Sequence, residues 1–174
     1  MSTIIETPRL ALREMTLDDL DFVALMLADP EVMRFYPKRY SRDEAESWVR
    51  RERDRYAQHG HGRWLVQDRV TAQPVGQVGL ILQRVEGVDE PEVSYLIHRP
   101  FWGRGYATEA ALATRDHAFE VLDKPRVISL IRPKNIPSQG VARKLGMEPE
   151  GRTVEHGGFE HLLFSVVRIE RGGK

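Results

Sequence analysis

The sequence predicts an α+β fold on a mixed sheet, and three observations carry that prediction. The hydrophobic period changes from helical to alternating at Arg63. Three strand-like runs then follow one another with no helix between them, which makes an antiparallel meander. The element order along the chain is β-α-α-β-β-β-α-β-α-β-β, and no repeat, low-complexity tract or linker divides it. A length of 174 residues, 41% hydrophobic and 30% charged, fits a single domain over 1–174.

Leu10 and Leu12 alternate with polar neighbours, predicting a first strand over Arg9 to Glu14. Thr16 reads as an N-cap, with Asp18 and Asp19 in the first turn and Leu17, Leu20, Val23, Ala24 and Leu27 at helical spacing. Asp29-Pro30 ends that helix, because the residue before Pro is pushed out of the helical region. Ser41 and Glu44 form a capping box for a second helix that passes Trp48, Val49 and Tyr56 and stops near Gly60. Its alternating Arg and Glu residues mark a solvated face. Strands follow over Trp64 to Gln67, Val75 to Leu82 and Val93 to Ile97, the last two joined by a loop over Gly87 to Pro91. Ala110, Ala111, Ala113 and Ala118 support a long helix from Ala107 to Leu122. A strand over Arg126 to Ile131, a helix over Ser138 to Leu145 and two strands flanking Gly157-Gly158 complete the chain.

Composition excludes several kinds of chemistry. Lys plus Arg and Asp plus Glu both number 26, so the net charge of +0 argues against a general nucleic-acid binder. No run approaches the roughly 18 apolar residues of a membrane span. Met1 to Arg9 lacks the layout of a signal peptide, so a cytoplasmic protein is expected. The absence of Cys removes disulfides, thiolate zinc sites and a Cys acyl-enzyme. His59 with His61 and His156 with His161 lack metal-ligand spacing on a helix, so no metal is expected.

The informative stretch runs Phe101-Trp102-Gly103-Arg104-Gly105-Tyr106-Ala107-Thr108-Glu109-Ala110, between a strand and the longest helix. Two glycines permit a sharp turn and leave backbone N–H groups uncovered. At a helix N-terminus those groups and the macrodipole suit a diphosphate. The same residues also satisfy a plain strand-to-helix turn. A Walker A loop is excluded because no Lys-Ser or Lys-Thr follows the glycines. A dinucleotide loop lacks its third glycine at Thr108, and a meander precedes it where βαβ units are required.

This stretch resembles the Q/R-x-x-G-x-G/A loop of the GNAT acetyltransferases, with Trp102 where Gln or Arg is usual. Thr7-Pro8-Arg9-Leu10 with Leu12-Arg13, and Asp29-Pro30-Glu31-Val32-Met33, are similar to segments of the ribosomal-protein-alanine (Rim-type) branch. Asn135-Ile136-Pro137-Ser138 and Val141 through Met147 resemble the second cofactor-contacting segment of the family, with Met147 replacing the usual Phe. The resemblance implies a GNAT-like, mostly antiparallel sheet with helices on both faces and a splay between its fourth and fifth strands. It implies a bulge in the strand before the loop, with Leu96, Ile97 and His98 offering backbone groups to the pantetheine arm of acetyl-CoA. Trp102, Gly103, Arg104, Gly105, Tyr106, Ala107 and Thr108 would hold the pyrophosphate, with Asn135 and Ser138 on the arm.

The implied activity is N-acetyl transfer from acetyl-CoA to a primary amine, a protein N-terminus or a small molecule, by direct attack in a ternary complex. Backbone N–H groups at the bulged strand would stabilise the oxyanion. Many relatives carry a Tyr acid where this chain has Ala142, so Ser138 is the alternative hydroxyl, although it also reads as the cap of its helix. Glu92 is the expected general base and Glu155 the runner-up; Glu109 reads as a first-turn carboxylate. An α-amine titrates near about 7.7–8.0 and a Lys near about 10.4, so a poorly defined base favours an N-terminal acceptor. Met33, Phe35, Tyr36 and Tyr40 would line the acceptor pocket, although Met33 and Phe35 also read as core. Two other readings use the same residues: an acyl-CoA-binding sensor or interaction module without turnover, and a transferase for a different acyl-CoA. A homodimer is common among relatives, and the composition does not decide it.

Overall fold

Local sequence signals account for most of the element boundaries. In the computed structural model, which describes residues 2–170, Thr16 and Ser41 both close capping boxes, with Asp19 and Glu44 respectively. Met1 and residues 171–174 of the expected single domain lie outside the described residues. Thr16 caps a short 3-10 turn over Leu17–Asp19, and helix α1 (Leu20–Ala28) continues from it. Helix α2 (Arg42–His59) ends on Gly60, whose φ of 74° is the left-handed cap that a glycine allows.

The strands are β1 (Thr3–Glu6), β2 (Leu10–Arg13), β3 (Arg63–Asp68), β4 (Pro74–Val85) and β5 (Val88–Ile97). Helix α3 (Tyr106–Glu120), β6 (Arg126–Ile131), α4 (Ile136–Lys144), β7 (Glu148–His156) and β8 (Phe159–Val167) follow. Among the described residues these strands form one sheet of order β1-β2-β3-β4-β5-β6-β8-β7, antiparallel except between β5 and β6. One buried cluster joins α3 and α4 to one sheet face; another joins α1 and α2 to Leu65 and Leu96 on the other. No helix of the described residues is long and apolar enough to cross a membrane.

Four expectations are corrected. β1 adds a strand ahead of the first one expected, pairing with β2 through Ile5↔Leu12. The expected loop over Gly87 to Pro91 is a two-residue turn, with Glu86 at φ 48° and Gly87 at φ 85°, and β5 already begins at Val88. Pro91 sits inside β5 opposite Leu82. Counting from the Val85↔Val88 pair that closes the turn, Pro91 falls at a non-hydrogen-bonded position, so no β4 carbonyl needs its missing N–H. The expected bulge is absent from β5, whose register with β4 runs unshifted from Val85↔Val88 to Gly76↔Ile97. Finally, α4 starts at Ile136 with Asn135 as its N-cap, so Ser138 lies within the first turn and does not cap it.

The splay comes from the parallel seam. β5 and β6 pair only at Glu92↔Ile128, and beyond that point the two strands diverge. Ser129 bridges the start of the gap by donating its hydroxyl to the Val93 carbonyl at 2.7 Å.

Candidate active site

The strand alternation sets which backbone groups face the gap. Even-numbered β5 residues pair with β4, and the His98 N–H beyond them donates to the Val75 carbonyl at 2.8 Å. The odd-numbered residues Val93, Tyr95 and Ile97 therefore turn their N–H and C=O groups toward β6. Of the three residues expected to offer such groups, Ile97 does so, whereas Leu96 and His98 are committed to β4. Tyr95 takes the remaining place. The Ile97 carbonyl accepts from the Trp102 indole N–H at 2.7 Å, which ties the glycine loop to the open strand.

Two cavities meet at this gap. One, of about 310 Å³, lies on the α1/α2 side; the other, of about 360 Å³, runs along the glycine loop. They share Val32, Phe35, Tyr95, Leu96, Asn135 and Ser138, so the junction lies where β5, α4 and the loop after α1 converge.

The loop cavity is built from the expected segment. Trp102, Gly103, Gly105, Tyr106, Ala107 and Thr108 all line it. Gly103 and Gly105 have φ of 74° and 77°, the left-handed region, and α3 opens on Gly105 with no side-chain cap. The first N–H groups of α3 therefore face the cavity end with no side chain bonded to them, a fit for a pyrophosphate. Arg104 does not line the cavity; its carbonyl accepts from Arg9 Nη1 at 2.8 Å and its guanidinium stacks on Phe101.

A profile of the acetyltransferase (GNAT) domain matches residues 9–148. The chain belongs to the GNAT acetyltransferases. It is 33% identical over 146 residues to the uncharacterized protein YkkB of Bacillus subtilis, covering 83% of this chain and 85% of that protein. An acetyltransferase structure from Agrobacterium tumefaciens superposes with a TM-score of 0.81 at 26% identity, covering 97% of this chain and 95% of that one. Spermidine N-acetyltransferase from Vibrio cholerae, solved with CoA and spermine, shares the fold at a TM-score of 0.74 and 18% identity, covering 92% and 96%.

In this GNAT acetyltransferase the cavity on the α1/α2 side is lined by aromatic residues around a buried charge cluster. Phe35, Tyr36, Tyr40, Trp48 and Phe159 form its walls. Arg63 stacks on Trp48 at 4.8 Å, pairs with Glu52 at 2.8 Å and donates to the Ser94 hydroxyl at 3.1 Å. Glu92, 8% exposed, lines the same cavity, and its Oε2 is buried without a hydrogen-bond partner. Burial pushes its carboxyl above the usual range, and the Arg63 charge opposes that shift. Burial likewise holds the Tyr36 and Tyr95 phenols protonated and pushes the His156 and His161 rings toward the neutral form.

Other expected residues stand apart. Met33 is buried at 2% exposure in the α1/α2 core and lines neither cavity. Glu155 is exposed on β7 opposite Glu160. His98 packs edge-on against Phe22 at 5.7 Å, outside both cavities. Ala142 is fully buried in the core, whereas Ser138, one turn earlier, lines both cavities. Asn135 caps α4 by accepting from the Ser138 N–H at 3.2 Å.

Sequence reasoning missed Tyr95, Arg63 and Arg132. The Tyr95 hydroxyl donates to the Ser138 carbonyl at 2.7 Å, which pins α4 against the open strand. Strand alternation was the available signal: with Leu96 facing α1 and α2, Tyr95 must face α4.

Proposed function

We propose that the chain transfers an acetyl group from acetyl-CoA to the primary amine of a small molecule or a protein N-terminus. The single observation that supports this most is the meeting of two cavities at the gap beside Tyr95, one built for a pyrophosphate and one lined by aromatics and a carboxyl. Acetyl-CoA supplies the acetyl group as a thioester. Direct attack of the amine in a ternary complex fits a chain that has no Cys to carry the acyl group.

The reaction's requirements divide among a few residues of the gap. The free N–H of Tyr95 on the open edge of β5 stabilises the oxyanion, a role that needs a donor fixed in advance. Glu92 accepts the amine proton, directly or through one water. The N–C bond forms, the C–S bond breaks, and the departing sulfur takes a proton through the Ser138 hydroxyl, which regains one from water while Glu92 releases the amine proton to water. Leu96 and Ile97 pack the arm, Trp102, Gly103 and Gly105 through Thr108 bind the phosphates, and Phe35 and Tyr36 hold the acceptor. The segments similar to the Rim-type branch favour a cytoplasmic enzyme.

Thermal melts with acetyl-CoA and with NAD, joined to an assay of free CoA released with an amine panel, test the reading. At about 100 times the dissociation constant, a ligand stabilises by roughly 2.7 kcal/mol, which is several degrees for this size. A shift with acetyl-CoA alone, and amine-dependent CoA release, are the expected results. A shift without turnover on any amine would favour the sensor reading. No shift would remove the phosphate loop altogether.

A further inference from the structure

We infer that the acceptor is a carboxylate-bearing amine, an amino acid and not a polyamine, with Arg132 as the receptor for its carboxylate. The inference rests on the proposed acetyl transfer and names the substrate class for the same site.

Arg132 follows directly on β6, the strand that borders the gap, and lines the acceptor cavity. Its guanidinium stacks on Phe159 at 4.2 Å from the ring centroid, and Nη1 reaches the Phe35 carbonyl only at 3.5 Å. Among the described residues no carboxylate lies within ion-pair distance of it. Arg63, the other cation of the cavity, is already matched by Glu52. Arg132 is thus a permanent, half-buried cation with a stacked and oriented planar fork, the geometry that receives a carboxylate bidentately.

At the buried end the sign reverses. Among the described residues Glu92 is the only acidic one lining the cavity, and its Oε2 is more than nine-tenths buried and unpartnered. A buried acceptor left unsatisfied is costly, and an amine N–H is its natural complement. The cavity therefore offers an acceptor for an amine at its base and a cation for an anion nearer its mouth. The aromatic walls between them suit an apolar body. His156 and His161 add no negative charge to hold a second ammonium, so a polyamine would set its distal cations against Arg132.

The test compares kcat/KM for a set of ω-amino acids, whose amine and carboxylate stand at opposite ends of an apolar chain, with their carboxamides, and for spermidine and simple alkylamines, in wild type and Arg132→Gln. Taking the ratio of acid to amide in each protein cancels the intrinsic reactivity of the amines. The expected result is that acids are accepted, and that the acid-to-amide ratio falls at least about tenfold in R132Q. The loss should appear in KM and be partly restored in R132K. Unchanged melting and an unchanged KM for acetyl-CoA guard against a folding effect, since Arg132 does not line the loop cavity. An unchanged ratio, or turnover confined to amides and polyamines, overturns the inference and leaves acetyl transfer standing. Absence of transfer to every amine overturns both.

Discussion

Glu109 in the first turn of α3 and Arg9 at the head of β2 are joined in an ion pair across 100 residues of chain. Arg9 Nε and Nη2 each lie 2.6 Å from Glu109 Oε2, and the Arg9 backbone N–H donates to Oε1 at 3.0 Å. Thr7 adds its hydroxyl to Oε1 at 2.6 Å. The other arm of the guanidinium holds the Arg104 carbonyl, and the group lies 4.7 Å from the Tyr106 ring centroid. The N-terminal hairpin therefore clamps the glycine loop from outside the cavity.

Breaking that clamp should act on the donor and spare the acceptor. Arg9→Ala is expected to raise KM for acetyl-CoA several-fold with a small change in kcat, and to leave acceptor KM unaltered. The pair is half-exposed, so its contribution to stability after solvent screening is about 0.5–1 kcal/mol. Steady-state kinetics with each substrate varied, alongside a melt, separates the two effects; an equal loss in acceptor KM would contradict the clamp.

Glu92 predicts opposite changes in stability and activity. Its carboxyl is raised, so the folded chain binds that proton more tightly than the unfolded chain. The resulting stabilisation is complete below the ordinary Glu value and is lost as pH climbs through the raised one. Glu92→Gln removes this slope, since an amide does not titrate and Arg63 keeps Glu52. Melts from acid to neutral pH should show the variant at least as stable as wild type at the upper end. The same substitution should lower kcat by about 10²-fold or more if the proton leaves through Glu92.

Asn135 and Ser138 divide capping from chemistry. Asn135→Ala should cost about 1 kcal/mol by uncapping α4, a fall of roughly 2–4 °C in Tm for a chain of this size. Ser138→Ala should melt near wild type, because the cap bond uses its backbone N–H, while kcat falls. A reversed pattern, with Ser138→Ala the less stable and fully active, would return the capping role to the hydroxyl.

Two glycines should respond in opposite directions to alanine. Gly105 has φ of 77°, and an added Cβ would stand 3.4 Å from Arg9 Nη2. Its replacement should destabilise by about 1–2 kcal/mol and weaken acetyl-CoA binding. Gly140 lies within α4 with no atom within 4 Å of an added Cβ, so alanine there should stabilise by about 0.4–1 kcal/mol. Calorimetry of the two variants checks both signs.

Much of this could be read along the chain because its signals are local. Thr16, Ser41 and Gly60 announce their ends within four residues, and the glycine loop carries its own conformational demand. β1 escaped because its four residues show no periodicity beyond the single buried Ile5. Pro91 masked the start of β5, since its legality depends on which side of the strand lacks a partner. Arg63, Tyr95 and Arg132 are separated by 32 and 37 positions, and only the sheet order brings them to one gap. The capping assignment failed for a related reason: Asn135 and Ser138 both suit a cap, and the choice was made by where β6 releases the chain.

The single Glu92–Ile128 ladder pair between β5 and β6 also has a mechanical meaning. It divides the sheet into a five-stranded plate and a three-stranded plate, held together by one ladder pair, the Ser129–Val93 hydrogen bond and the Arg126–Glu90 ion pair, and braced by the helices on either face. Such a joint carries shear poorly along the line where the strands part. A ligand strand laid into that line, bonded to Tyr95 and Ile97, would stiffen the junction between the plates. The amount of acetyl donor around the protein would then set its rigidity as well as its rate.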